Sequence, residues 1–84
     1  MTDDAAEVAV VGSYNMGLTM MVPRFPTGGE TVIGRDFAEG PGGKGSNQAI
    51  AASRLGAESS FIGNIGTDRY GDEAVDLWES EQVD

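Results

Sequence analysis

The segment AEGPGGKGSNQAIAASRLGA, residues 38–57, decides how this chain folds. After a run of glycines, SNQAIAASRL (residues 46–55) combines alanines with isoleucine and leucine, which favours a helix packed closely on a sheet. Gly56 follows where a helix stop is expected. Lys44, the only lysine of the chain, lies among the glycines directly before this helix. This isolated cation is therefore the first candidate for a functional residue.

Strand patterns precede this segment. EVAVVG (residues 7–12) is a short β-branched run stopped by glycine, and it predicts a buried strand. Residues 15–22 carry large apolar side chains at every second position, which predicts a strand with one covered face. Residues 30–37 resume an extended pattern after the prolines and glycines of residues 23–29. The two later runs together predict a β-hairpin with a long loop.

A second strand and a second helix follow the glycine segment. Residues 60–65 form another buried-strand candidate, and residues 70–82 form a helix that Thr67 or Asp68 is expected to cap. The apolar side of that helix carries Ala74, Leu77 and Trp78.

The order strand, hairpin, helix, strand, helix predicts an α/β fold in which a parallel sheet is flanked by helices. We assign residues 1–13 and 40–84 to the α/β core and about 14–39 to a projecting hairpin. The chain ends just past a helix, where the next strand is expected, so the fold is incomplete.

The composition excludes several classes of function. The 84 residues allow one small domain at most, and the absence of Cys and His removes disulfides, thiol nucleophiles and histidine chemistry. A net charge of -9 argues against a nucleic-acid partner, and the scattered acids indicate adaptation to high salt rather than only a solvated surface. No apolar run is long enough for a bilayer, and the acidic N-terminus does not resemble a signal peptide. We therefore expect no membrane partner and a cytoplasmic location.

GPGGKG, residues 40–45, matches G-x-G-x-x-G but is neither of the common phosphate-binding motifs. A dinucleotide fingerprint follows the first strand directly, whereas this motif follows the hairpin. A P-loop needs Ser or Thr after its lysine, and Gly45 stands there. What remains is bare backbone at Gly42 and Gly43, the charge of Lys44, and a helix N-terminus that favours electron-rich ligand groups.

Two amide side chains add to this candidate site. Asn47 lies one turn into the helix, and Asn15 follows the first strand, so both belong to the sheet edge where ligands usually bind. Amides, a lysine and bare backbone suit a polyhydroxylated ligand, a sugar, better than a flat apolar one. The alternative is a tight turn with a solvated lysine. The presence of Asn15, Lys44 and Asn47 together favours the site.

Four segments of the chain resemble the N-terminal part of the ribokinase family of carbohydrate kinases, which includes fructokinases and adenosine kinases. They are VVGSYN (10–15), PTGGETVIG (26–34), GPGGKGSNQAIAASRLGA (40–57) and FIGNIGTDRYGDEA (61–74). The resemblance covers about residues 8–84. It implies an α/β fold with a small β-sheet lid, which the hairpin begins, and homodimers joined through the lid strands.

The resemblance also implies a chemistry. It implies ATP and Mg²⁺ in the complete enzyme, and phosphoryl transfer to the primary hydroxyl of a pentose. It implies a sugar pocket lined by Asn15, Gly42, Gly43, Lys44 and Asn47. Gly17 faces the same pocket but departs from the family, whose members typically carry an aspartate there, so the identity of the sugar stays open. The catalytic aspartate and the nucleotide pocket are expected beyond residue 84, so we expect a fragment that is inactive alone and binds neither cofactor nor metal.

Two alternatives to a pentose kinase remain. The first is a kinase of a nucleoside or a sugar phosphate in the same family, which Gly17 leaves open. The second is a non-catalytic module that binds sugar weakly or self-associates through unpaired lid strands. A Gly-Ala-Gly-Asp loop downstream would support an enzyme.

Overall fold

The computed structural model describes residues 5–84, so the first four residues of the predicted core lie outside the described residues. In chain order the elements are β1 (Glu7–Val11), β2 (Asn15–Met21), β3 (Asp36–Gly42), α1 (Lys44–Arg54), β4 (Glu58–Ile62) and α2 (Arg69–Ser80). β1 and β4 form one sheet, and β2 and β3 form another. This confirms an α/β fold with a parallel sheet, helices and a hairpin. Neither helix is long and apolar enough to cross a membrane.

The core sheet is parallel, and the end of the chain forms a single bridge beside β4. β1 and β4 pair from Glu7 opposite Glu58 onward. Val83 then pairs in parallel with Ser59, and the Asp84 N–H donates to the Ser59 carbonyl over 2.9 Å. The last residues therefore lie parallel to β4, where the sequence predicts the next strand.

Both helices pack on the same face of the core sheet. On that face the Ser59 hydroxyl donates to the Ala49 carbonyl of α1 over 2.7 Å. The Phe61 ring, two residues along β4, lies 4.8 Å from the Trp78 ring of α2. Ala49 and Ala74, one from each helix, are fully buried. The small side chain of Ala49 lets α1 approach the sheet closely.

The opposite face of the core sheet is open. Val11 is 79% exposed and Ile62 is 57% exposed, whereas Val8 and Val10 on the covered face are half-buried. The prediction that residues 7–12 form a buried strand is therefore wrong for one of the two faces. The physical reason is that neither α1 nor α2 lies on that side.

The helix ends follow their local signals. α1 begins at Lys44, earlier than the predicted residue 46. After α1 the chain reverses at Gly56, whose φ is 99° and whose N–H donates to the Ser53 carbonyl over 3.0 Å. Glycine suits this left-handed conformation because it has no Cβ. The predicted helix stop is confirmed.

α2 is capped by one of the two predicted residues. The Asp68 carboxylate accepts the Gly71 N–H over 3.0 Å, which satisfies a free donor of the first turn. The helix ends at Ser80, before the predicted residue 82, because the chain turns at Gln82 with a φ of 59° towards its bridge with β4.

β4 lies earlier in the chain than the predicted residues 60–65. The Glu58 N–H donates to the Ala6 carbonyl over 2.7 Å, so pairing with β1 begins almost directly after the first helix. After Ile62 the chain leaves the sheet at Gly63. A Cβ at Gly63 would lie 2.6 Å from the Gly12 carbonyl oxygen, so this close passage requires glycine.

β3 differs most from the sequence-based expectation. The predicted second strand of the hairpin spans residues 30–37, whereas β3 runs through the glycine segment and places Gly42 opposite Asn15. Pro41 is tolerated because β3 is an edge strand, where a missing N–H need not interrupt a ladder. The paired strands of the hairpin therefore continue to residue 42, past the suggested boundary near 39.

One face of the hairpin is apolar and exposed. Met20 lies opposite Phe37, and Leu18 is on the same face of β2. The three side chains are 52%, 55% and 57% exposed respectively. About half of each side chain therefore remains open to solvent, a feature typical of a sheet that meets a partner.

Candidate functional site

The second face of the hairpin is almost bare of side chains near the core. Asn15 lies opposite Gly42, and Gly17 lies opposite Gly40. Because residues two apart on a strand share a face, these four residues form one surface, which we call the bare patch. A Cβ at Gly40 would meet nothing within 4 Å, and one at Gly42 only the Asn15 carbonyl oxygen at 3.7 Å. No packing within the described residues requires glycine at these two positions, so the patch has room for a ligand.

Gly43 and Gly45, in contrast, are required by packing. Gly43 has a φ of 96°, and a Cβ there would lie 2.5 Å from the Ser13 carbonyl oxygen. A Cβ at Gly45 would lie 3.0 Å from the Gly12 Cα. Both glycines let α1 start directly against the turn between β1 and β2. Of the two predicted pocket glycines next to α1, Gly42 is thus free of a packing requirement and Gly43 is not.

The two helices begin differently. α2 is closed by the Asp68 carboxylate and has Asp72 in its first turn. α1 has Gly43 as its cap, with no side-chain hydrogen bond and no acidic residue in the first turn. Lys44 is the exposed first residue of α1, and the ion pairs within residues 5–84 all use arginines. The start of α1 therefore offers a cation and a positive dipole end to a ligand.

The structure brings some of the predicted site residues together. A Cβ at Gly43 would lie 3.0 Å from the Asn15 backbone nitrogen, so the bare patch adjoins the start of α1 directly. The Asn47 N–H donates to the Gly43 carbonyl over 3.0 Å, which places Asn47 one turn further along.

The two predicted amide side chains line different cavities. Asn15 lines a cavity of about 370 Å³ together with Asn64 and Tyr70. Asn47 lines one of about 330 Å³ between α1 and α2, together with Leu77. Their convergence on one ligand stays a prediction.

The sequence patterns do not predict a cluster of contacts around Trp78 at the base of the hairpin, which we call the joint. The Trp78 Nε1–H donates to the Ser46 hydroxyl oxygen over 2.9 Å, and Ser46 is only 1% exposed. The Trp78 ring also lies edge-on to Tyr14, with centroids 5.4 Å apart. The Ser46 N–H donates to the Ser13 carbonyl over 3.3 Å. The Trp78 indole therefore contacts Tyr14, where the chain enters the hairpin, and Ser46, just after the chain has left the hairpin.

An ion pair and a buried hydroxyl lie near this joint. Arg69 of α2 lies 3.3 Å from the Glu39 carboxylate of β3 and 3.2 Å from Glu73, so it ties the hairpin to the core. An exposed pair of this kind contributes little to stability, because solvent screens it. The Tyr14 hydroxyl is buried without a hydrogen-bond partner among the described residues. Burial, and then the charge of Glu73, raise the pKa of Tyr14 above its ordinary value, which favours the protonated form.

Comparison with known proteins places this fold and site in a family. Residues 5–84 match the pfkB family carbohydrate kinase. A ribokinase of Lactococcus lactis is 45% identical over 78 residues, which cover 92% of this chain and 26% of that protein. The structure of a ribokinase from Thermotoga maritima matches with a TM-score of 0.84 and 32% identity, over 94% of this chain and 27% of that one. A ribokinase of Arabidopsis thaliana, solved with ribose and ATP, matches with a TM-score of 0.83 and 30% identity, over 95% and 26%.

The chain belongs to the pfkB family of carbohydrate kinases, as its four motif segments suggest. Within that family, the three relatives described above are ribokinases. The chain spans little more than a quarter of their length.

Proposed function

We propose that residues 1–84 form the sugar-binding N-terminal part of an ATP-dependent, ribokinase-like carbohydrate kinase that phosphorylates the primary hydroxyl of a pentose. The observation that carries this proposal is the bare patch next to the uncapped start of α1. Exposed backbone, the Asn15 amide and the Lys44 ammonium together offer donors and acceptors at close range, which a polyhydroxylated ligand requires. The similarity to a ribokinase solved with ribose and ATP supports the same substrate class.

Each proposed sugar contact has its own task. The amides of Asn15 and Asn47 can each donate to one hydroxyl and accept from another. Lys44 supplies three donors and a charge, and Gly42 lets the sugar approach the backbone. Several directional contacts fix the orientation of the primary hydroxyl. Such orientation matters because phosphoryl transfer depends mostly on positioning and on electrostatic stabilisation.

The cofactors belong to other parts of the proposed enzyme. ATP would supply the transferred phosphoryl group, with Mg²⁺ neutralising its charge. Within residues 5–84 no group of three or more His, Cys, Asp or Glu is placed to hold a metal ion. We therefore assign sugar binding and orientation to this part of the chain. The base that takes the hydroxyl proton is proposed to be an aspartate beyond residue 84.

A direct assay tests the proposal. The protein encoded by the complete reading frame that contains residues 1–84 should release ADP from ATP only when a pentose is present. Nuclear magnetic resonance of the product should show phosphate on the primary hydroxyl. Residues 1–84 alone should release none, because they lack the base and the nucleotide pocket. Pentose-independent ADP release by the complete protein, or pentose-dependent release by residues 1–84 alone, would contradict the proposal.

Gly17 favours a second candidate substrate, a nucleoside or a sugar phosphate. Glycine supplies no side-chain acceptor and leaves space on the bare patch. The site nevertheless has room to test an aspartate. Gly17 is not among the glycines with positive φ, and a Cβ there would lie 3.3 Å from the Gly40 carbonyl oxygen, a contact that a small shift relieves.

Gly17→Asp should change the substrate preference of the complete protein. The new acceptor should lower the KM for ribose roughly threefold to tenfold, the scale of one net hydrogen bond. The same carboxylate should repel a substrate phosphate and raise the KM for a sugar phosphate that keeps a free primary hydroxyl, such as fructose 6-phosphate. Thr19→Asp is the matched control, because Thr19 lies on the same face of β2 but further from the core. A stable Gly17→Asp variant with an unchanged ratio of ribose to sugar-phosphate activity would remove Gly17 from the site.

We also propose a cytoplasmic homodimer adapted to high salt and without nucleic-acid or membrane partners. The exposed apolar face of the hairpin at Leu18, Met20 and Phe37 supports pairing between hairpins. The net charge of -9 supports the salt adaptation and argues against a nucleic-acid partner. The same apolar face would support self-association of a non-catalytic module, which the ADP assay distinguishes from an enzyme.

A further inference from the structure

We propose that Trp78 is a positioning residue, which sets the two halves of the sugar site relative to each other. The inference rests on the proposed function. One half of that site, with Asn15 and the bare patch, lies on the hairpin. The other half, with Lys44 and Asn47, lies on α1. Sugar binding needs both halves in register, and Trp78 contacts the chain beside each of them.

Trp78 contacts the hairpin half through Tyr14. The two rings meet edge-on, with centroids 5.4 Å apart and planes at 78°, an arrangement that aromatic pairs favour. Tyr14 directly precedes Asn15, the one residue of the bare patch with a side chain. A displacement of the indole would therefore displace the start of β2.

Trp78 contacts the helix half through Ser46. This residue lies between Lys44 and Asn47 in the first turns of α1, and its hydroxyl oxygen accepts the indole N–H over 2.9 Å. Ser46 is 1% exposed, so water does not replace this bond readily. The hydrogen bond therefore fixes α1 at the point where its proposed sugar contacts begin.

The indole itself is held by the core. Its ring packs on Phe61 of β4 with centroids 4.8 Å apart, and its backbone belongs to α2. The other links at this joint are weaker, since the bond from the Ser46 N–H to the Ser13 carbonyl is long at 3.3 Å. The Arg69–Glu39 ion pair is largely exposed on its arginine side. Trp78 is therefore a side chain of the core that contacts both halves of the site.

Three variants of the complete protein test this role: Ser46→Ala, Trp78→Phe and the double variant. Each single substitution removes one partner of the Trp78–Ser46 hydrogen bond and leaves the other partner unsatisfied. Each should therefore lower the melting temperature. In the double variant both partners are apolar, so much of that loss should be recovered. The KM for ribose should nevertheless rise about tenfold in all three variants, because none retains the bond. The KM for ATP should not change, and kcat should stay within roughly threefold of the parent value.

Ser53→Ala is the matched control. The Ser53 hydroxyl also joins α1 to the end of α2, donating to the Glu81 carbonyl over 2.6 Å, but it lies at the end of α1 away from the site. Its loss should lower the melting temperature without changing the KM for ribose. If the KM for ribose rises wherever the melting temperature falls, in Ser53→Ala as well as in the other three variants, then Trp78 has only a structural role. An unchanged KM in Ser46→Ala and Trp78→Phe would also overturn the proposal.

Failure of the proposed function can be distinguished from failure of the positioning role of Trp78. A parent protein that phosphorylates no sugar would refute the function, and hydrogen exchange would then test the joint. Amide exchange at residues 13–16 and 44–47 should be faster in Ser46→Ala than in Ser53→Ala. Equal exchange in the two variants would overturn the positioning role.

Discussion

Gly43→Ala should abolish or severely weaken folding, with a loss of about 3 kcal/mol or more in the free energy of unfolding. Two costs act together. The φ of 96° is unfavourable for any residue with a Cβ, at roughly 1–3 kcal/mol. The added methyl would also lie 2.5 Å from the Ser13 carbonyl oxygen and 2.8 Å from the Tyr14 Cα, and overpacking of this kind costs about 1–3 kcal/mol. Urea unfolding followed by circular dichroism measures the change.

Gly28→Ala is the control for that experiment. A Cβ at Gly28 would meet nothing within 4 Å, and the residue does not have a positive φ. The free energy of unfolding should therefore stay within about 0.5 kcal/mol of the parent value. Similar stabilities of the two variants would show that α1 does not start against the turn between β1 and β2 in the way described.

Lys44→Met should weaken sugar binding by roughly 1.5–3 kcal/mol, the scale of a hydrogen bond to a charged group. That corresponds to a rise of about tenfold to a hundredfold in the apparent dissociation constant. Methionine keeps much of the apolar stem and removes the charge and the three donors. The affinity for ATP should barely change, because no role of Lys44 in nucleotide binding is proposed. Titration calorimetry of the complete protein with ribose, and separately with ATP, measures both.

Arg35→Met is the matched control for Lys44→Met. It removes one positive charge from an exposed residue, but Arg35 lies before β3, at the end of the hairpin furthest from α1. The affinity for ribose should stay at the parent value. Equal losses in the two variants would indicate a long-range effect of net charge. Unchanged binding in Lys44→Met would make Lys44 a solvated residue of the turn.

The two helices, the end of α1 and the start of α2 could be predicted because their signals are local. Gly56 marks the end of α1 through a backbone conformation that other residues avoid. Asp68 marks the start of α2 because a carboxylate can accept a first-turn N–H. Both features depend on residues within one or two turns of the chain, so sequence alone contains the information.

β3 could not be predicted because its pairing is not local. Glycine and proline at residues 40–42 indicate a loop by their own propensities. Pairing with β2, more than twenty residues earlier, overrides those propensities and continues the strand to Gly42. The extended pattern of residues 30–37 remains mostly unpaired, because the register of β2 brings Asp36 opposite Met21.

In the candidate site, too, local features could be predicted from the sequence and non-local contacts could not. Composition and spacing identify Asn15, Gly42, Gly43, Lys44 and Asn47 as candidates, whereas Gly17 is a candidate only through the resemblance to the ribokinase family. Composition and spacing do not separate Gly42, which has free space, from Gly43, which is required by its contact with Ser13. That difference depends on how closely two turns approach in space. The Trp78–Ser46 bond spans 32 residues of the chain, and Trp78 lies outside the four motif segments, so no local pattern predicts this contact.

A crystal structure of the complete protein with bound ribose tests the central claim most directly. We predict that the sugar lies against the bare patch, with hydroxyls within hydrogen-bond distance of the Asn15 amide and the Lys44 ammonium. Ribose bound away from both Asn15 and Lys44, for example only in the cavity between α1 and α2, would contradict it.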